Sequence, residues 1–345
     1  MRAAASLIAL SIVAVISMGY RLSIQPMAPG LDPQYTYGSN YAAANGLTWG
    51  RDFISSCGPY GYVMLTMDVG GLLERTIIFN LVLVGATGLA IAAYLLSIAR
   101  LGARARIVLA IVLAYAVSLQ GSEYRWFVPF LLVLLTGIHL HGRMSLVAFS
   151  FAGILAGSYV LVKLSLGLNA VTTLLVACFL VQRLGAAATR LAVAVPGAAG
   201  TLLIGWGTYQ GGLTGLAAYL TTGWAVGAGY SAGMSFAPAR WWIGMASLLL
   251  WFALVIIWVV VQPGPDSRLT LATLAVPLFS AWKHSIVRDD AHVMISHDVW
   301  SLCHRSKFLR IGSDSEQLEI SAPAARGPGG AAPARDFCAD RPRWG

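Results

Sequence analysis

Charge is what this chain has least of. Only 11% of its 345 residues are Asp, Glu, Lys or Arg, against about 25% in an ordinary globular domain, and that excludes a water-exposed surface of normal charge density. Cysteine is scarce too: Cys57, Cys178, Cys303 and Cys338 show no C-x-x-C spacing and no histidine partners at metal-site spacing, which argues against a zinc or dithiol centre. Cys178, inside an apolar run, reads as helix packing. The net charge of +9 comes from Arg and Lys placed singly or in threes at the ends of apolar runs. No single basic face forms, so nucleic acid is not indicated as a partner.

What the chain has instead is apolar residues, 57% of the total, with a mean hydropathy of +0.71. Such a chain finds its solvent in lipid, and the expected fold class is an all-α, polytopic integral membrane protein. Residues 3–20 read as a retained first helix, because "SMGYRLSIQ" offers no small-x-small cleavage site. Spans able to cross about 30 Å of hydrocarbon follow at 76–98, 145–162, 164–182, 191–208 and 241–261. Shorter candidates at 107–122, 126–141 and 269–282 bring the expected number of crossings to about nine. The pair 107–122 and 126–141 suits either a tilted or a re-entrant hairpin.

Parity then sorts the loops. Segments 21–75, 122–126, the Lys163 turn, 209–240 and 283–292 fall on one face, and with them Asp32, Asp52, Asp68, Glu74, Glu123, Asp289 and Asp290. Before residue 293 only Asp266 falls on the other. Lys and Arg divide evenly between the faces, which ties the positive-inside count. The dense basic loop "RLGARAR" (100–106) breaks the tie and makes the acidic face extracytoplasmic.

The most varied chemistry lies in "LDPQYTYGSNYAAANGLTWGRDFISSCGPYGYV", residues 31–63, within a large first extracytoplasmic loop. Asp32 precedes Pro33, which favours an extended or turn conformation before it. Asp52 lies in "WGRDF", and "CGPYGY" carries the punctuation of a compact, ordered turn. The two carboxylates could act as general base and orienting group, or hold a divalent cation through oxygen ligands. They could equally cap helices and pair with Arg51 or Arg75.

Further cations frame this reading. Lys163, alone between two apolar spans, could snorkel to the interface or receive an anionic head group. In "KHSIVRDDAH" (283–292), Lys283, His284 and Arg288 could hold a phosphate, with Asp289, Asp290 and His292 as metal ligands or acid/base groups. A solvated juxtamembrane run explains the same residues more simply. The uncharged loop 209–240, rich in Gly, Tyr and Trp, reads as a lid, a lipid-facing groove or a re-entrant connector. His139 and His141 read as helix-end residues. From residue 294 to 345 the chain turns polar and rich in Arg, Pro, Gly and Ala, the composition of a disordered tail. A shifted reading frame or a truncation would produce such a tail.

Asp32 with Tyr35, "NYA" (40–42), "WGRDF", "SCGPYGYV", "GYSAGMS" (229–235) and "KHSIVRDDAH" together resemble a group of poorly characterised bacterial polytopic membrane proteins. This chain departs from that group's pattern at Gln34, Tyr35, Ser55, Ser56, Cys57 and Gly233. The layout resembles more loosely the GT-C superfamily of membrane glycosyltransferases, which use polyprenyl-phosphate-linked sugars. The Lys163 turn is similar to one found in lipid A aminoarabinose transferases and protein mannosyltransferases. The resemblance implies Asp32 as general base or acceptor-positioning acid, Asp52 as its support or a metal ligand, and Lys163, Lys283 and Arg288 around the lipid phosphate. It also implies a multi-pass protein of the bacterial cytoplasmic membrane with membrane lipid and a lipid-linked sugar as partners. A lipid or polysaccharide transporter or flippase, and a non-catalytic scaffold, are the competing classes. A transporter would show charges or broken helices at mid-membrane and internal repeats, and no clear repeat is present.

Overall fold

The structure, a computed structural model, describes residues 2–17, 24, 31–98, 101–119, 122–179 and 184–234, and helical positions at 246, 249, 253, 273–277, 279 and 280. Segment 283–292 and the tail 294–345 lie outside the described residues. So do most of the expected span 241–261 and half of 269–282.

Among the described residues every regular element is helical, in keeping with the all-α class. In chain order they are α1 (Arg2–Ser17), α2 (Leu31–Ala44), α3 (Leu72–Ser97), α4 (Ala103–Leu119), α5 (Ser122–His139), α6 (Gly142–Val162), α7 (Leu164–Phe179), α8 (Leu184–Gln210) and α9 (Leu216–Met234), with a 3-10 turn at Gly61–Val63. Among the described residues three helices are long and apolar enough to cross a membrane: Leu72–Ser97, Gly142–Val162 and Ala186–Gln210. At about 1.5 Å per residue each reaches roughly 30 Å or more.

Their surfaces are inverted relative to a soluble bundle. Large side chains of α3 and α6 face outward, among them Leu81, Val82, Met144 and Phe151. The inward faces carry small residues such as Gly88, Ala92, Ala152, Gly153, Ala156 and Gly157. In lipid no hydrophobic force presses helices together, so close backbone approach does that work. A Cβ on Gly153 would lie 2.1 Å from the carbonyl oxygen of Ala194, and one on Gly157 would lie 2.2 Å from that of Ala198. That register makes α6 and α8 parallel. Helix α7 runs back between their ends, bringing Cys178 beside Arg190, whose guanidinium sits 4.6 Å over the Phe149 ring. Cys178 is fully buried, as helix packing requires.

Two expected loops contain helices. Residues 31–44 form α2, because Pro33 within the first turn has no N–H to lose and Gly46, at φ 63°, closes the other end. The Leu47 amide donates to Ala42 O at 3.0 Å and the Gly46 amide to Ala43 O at 3.4 Å, which completes a left-handed C-terminal cap. Residues 216–234 form α9, where Ala, Leu and Thr keep helix propensity between the glycines. His139 ends α5 and His141 caps α6, as the sequence suggests.

Candidate functional site

Helix α6 ends at Val162 and α7 begins at Leu164, leaving one extended residue, Lys163 (φ −155°, ψ 123°), to turn the corner. A helix end leaves its last carbonyls without intrahelical partners, and in an apolar environment each must find one. The Lys163 amide donates to Tyr159 O at 2.8 Å, the Tyr219 hydroxyl to Val160 O at 2.6 Å, the Tyr60 amide to Leu161 O at 3.0 Å and the Gly58 amide to Val162 O at 3.0 Å. On the other side of the corner the Leu164 amide donates to Ser56 O at 2.9 Å. Cys57 and Lys163 thus face each other as an antiparallel pair, although they are far apart in sequence. Loop 45–71 is therefore part of the bundle's own hydrogen-bond accounting.

The loop is held from within as well. Asp52 accepts from the Thr48 amide at 3.1 Å and from Arg51 through two bonds, Nε at 2.8 Å and Nη2 at 2.9 Å. The Arg51 guanidinium, then the Thr48 amide, holds the Asp52 carboxyl well below the usual carboxylate range. Trp49 is buried and its ring lies 4.6 Å from that of Phe53. Beneath the loop, Tyr35 and Ser55 hydroxyls share a hydrogen bond of 2.8 Å, and the Cys57 amide donates to both, at 3.3 Å and 3.0 Å. Burial of the hydroxyl end, with Cys57 adding to the effect, pushes the Tyr35 phenol up to about 12.

Helix α8 supplies further anchors. The Tyr60 hydroxyl donates to Gly205 O at 3.1 Å, the Tyr209 hydroxyl to Ala42 O at 3.2 Å and Gln210 Nε2 to Leu47 O at 3.2 Å. Near the start of α5, Tyr159 donates to Trp126 O. One end of the bundle thus gathers the 45–71 loop, the Lys163 corner, the α8–α9 junction and the start of α5. These are four of the five segments that parity assigns to one face.

The predicted site residues fare differently. Asp32 falls in the first turn of α2, where its backbone alone is described. Asp52 is committed to Arg51 and to its own turn. Lys163 stands half-buried at the corner, joined through its backbone to the "SCGPYG" stretch. Lys283, His284, Arg288, Asp289, Asp290 and His292 lie outside the described residues. Among the described residues no three of His, Cys, Asp and Glu come together as metal ligands would. Sequence reasoning missed the tyrosine hydroxyls of Tyr35, Tyr60, Tyr209 and Tyr219. The excess of Tyr on the polar segments was their only local signal.

No protein-family model matches the chain, and comparisons with curated proteins and with solved structures return no match.

Proposed function

We propose that this chain is a membrane glycosyltransferase-like protein that moves a sugar from a polyprenyl-phosphate-linked donor to an envelope acceptor. Its place would be the bacterial cytoplasmic membrane, with about nine crossings and the 31–71 segment on the extracytoplasmic side. One observation carries the reading: the "SCGPYG" stretch and Lys163, assigned separately to the acid-bearing loop and to the lipid phosphate, pair in one hydrogen-bonded corner. A phosphate leaving group gains negative charge as the glycosidic bond breaks, and a cation fixed at that spot stabilises it.

The two acids are given different parts in this reading. A carboxylate held below its ordinary range by a bidentate Arg is a weak base, so Asp52 fixes the turn and Asp32 is the acid that would activate or position the acceptor. The reading is tested by analysing envelope glycans and lipid-linked sugars in cells that carry wild type, Asp32→Asn, Lys163→Gln or no copy, at matched expression. Loss of one sugar with build-up of its polyprenyl-linked donor in both variants supports the transferase. Wild-type glycans in both variants would remove it and move the transporter and scaffold readings ahead.

A further inference from the structure

The end of the bundle opposite the Lys163 corner holds a cation with no anion beside it among the described residues. Arg190 lies on α8 one turn before Ala194, which packs against Gly153. Its guanidinium covers the face of Phe149 at 4.6 Å, and its Nη1 is buried with no hydrogen-bond partner among the described residues. A ring face satisfies part of a guanidinium's charge and none of its in-plane donors. A charge in this position is costly unless it meets water, a partner or a ligand.

The chain itself has almost nothing to offer. Between Glu74 and Asp266 its sole acid is Glu123, and Glu123 belongs to the start of α5 at the other end. Arg104 and Arg106 stand in the first turn of α4 and Arg143 in that of α6. Arg106 shows what a structurally employed arginine looks like here: Nε donates to Leu95 O at 3.1 Å and Nη2 to Ile98 O at 3.3 Å, capping α3. Nη1 of Arg190 has no such acceptor among the described residues. Side chains of a helix lean toward its N-terminus, so Arg190 reaches from α8 toward the end of the bundle where α6 and α8 begin. Phe149 sits seven residues into α6, so its Cα lies about 10 Å from the helix start, and its side chain leans toward that end as Arg190 does.

We propose that Arg190, seated on Phe149, binds the phosphate of an anionic phospholipid at this end of the bundle. The planar fork fits a phosphate through paired N–H bonds, and a guanidinium with no acid beside it among the described residues favours a lipid of net negative charge over a zwitterionic one. The site is separate from the Lys163 corner and does not depend on the transferase reading.

Melting temperatures of the purified full chain in mixed micelles with phosphatidylglycerol or with phosphatidylcholine test it, for wild type, Arg190→Met and Arg143→Gln. Methionine has similar length and replaces a buried charge without a cavity, so the variant folds. Wild type and Arg143→Gln should gain several degrees in phosphatidylglycerol over phosphatidylcholine, and Arg190→Met should lose that gain. Native mass spectrometry should show phosphatidylglycerol retained on wild type and several-fold less on Arg190→Met. An equal gain in Arg190→Met, or no lipid preference in wild type, overturns the proposal. So does a wild type that shows no lipid preference while Asp266→Asn alone lowers the melting temperature, which would make Asp266 the counter-ion.

Discussion

The Gly58 amide donates to the carbonyl of Val162 at 3.0 Å, so a residue of the loop completes the end of a helix far along the chain. The contact leaves no room for a side chain. A Cβ at residue 58 would lie 2.2 Å from Leu161 O and 2.7 Å from the Tyr219 hydroxyl. Gly58→Ala should therefore break the pairing of 56–60 with 161–164 and destabilise the fold by about 1–3 kcal/mol. A lower melting temperature in detergent, together with faster proteolysis within 45–71, is the expected result.

Tyr219→Phe removes one hydroxyl and leaves the Val160 carbonyl buried without its 2.6 Å donor. An orphaned buried acceptor costs about 1–3 kcal/mol. Tyr209→Phe should cost less, since its hydroxyl reaches Ala42 O and Ala43 O at 3.2 and 3.4 Å. The order of the two melting temperatures checks this.

Helix α6 should tolerate nothing larger than glycine at 153 and 157, where it meets the α8 backbone. Gly157→Ala places a methyl 2.2 Å from Ala198 O, whereas Gly200→Ala on α8 meets nothing within 4 Å. The first should lower stability by about 1–3 kcal/mol. The second should be neutral or gain up to about 1 kcal/mol from helix propensity. Thermal unfolding of the two variants side by side separates them.

Acid should act on Asp52 late. Its folded carboxyl is depressed by Arg51 and the Thr48 amide, so the stability it contributes is complete above the ordinary carboxylate value of about 4. It is lost only as pH falls below that value, toward the depressed folded one. Between pH 5 and 9 Asp52→Asn should leave any activity–pH profile in place and only loosen the 48–53 turn. A shifted profile in this variant would return Asp52 to a chemical role.

Much of this was legible in the chain. The apolar runs gave α3, α6 and α8, and parity put the Lys163 turn on the same side as the 31–63 stretch. Helix α2 was hidden because "YTYGSNY" has no apolar periodicity: its buried face is Thr36, Ser39 and Asn40. Asn40 Nδ2, for example, donates to Leu65 O at 2.6 Å, a contact that local pattern cannot foretell. Helix α9 was obscured by its glycines. The pairing of Cys57 with Lys163 is a tertiary fact with no local cause, while the glycines at 153 and 157, spaced four apart, were a readable sign of close helix contact.

The corner at Lys163 also constrains how the protein is made. Its partners are synthesised in the wrong order for easy folding: residues 56–60 leave the ribosome first and residues 161–164 follow about a hundred positions later. At roughly 5–20 residues per second the loop waits about 5–20 s for the carbonyls of Leu161 and Val162. Until then its amides at Gly58 and Tyr60 have only water or a chaperone to bind, and α6 cannot settle in the bilayer as a finished helix end. Assembly of this end of the bundle is thus a late event in biogenesis, and a stall in translation between residues 60 and 160 should leave the loop open to protease from the side where it emerges.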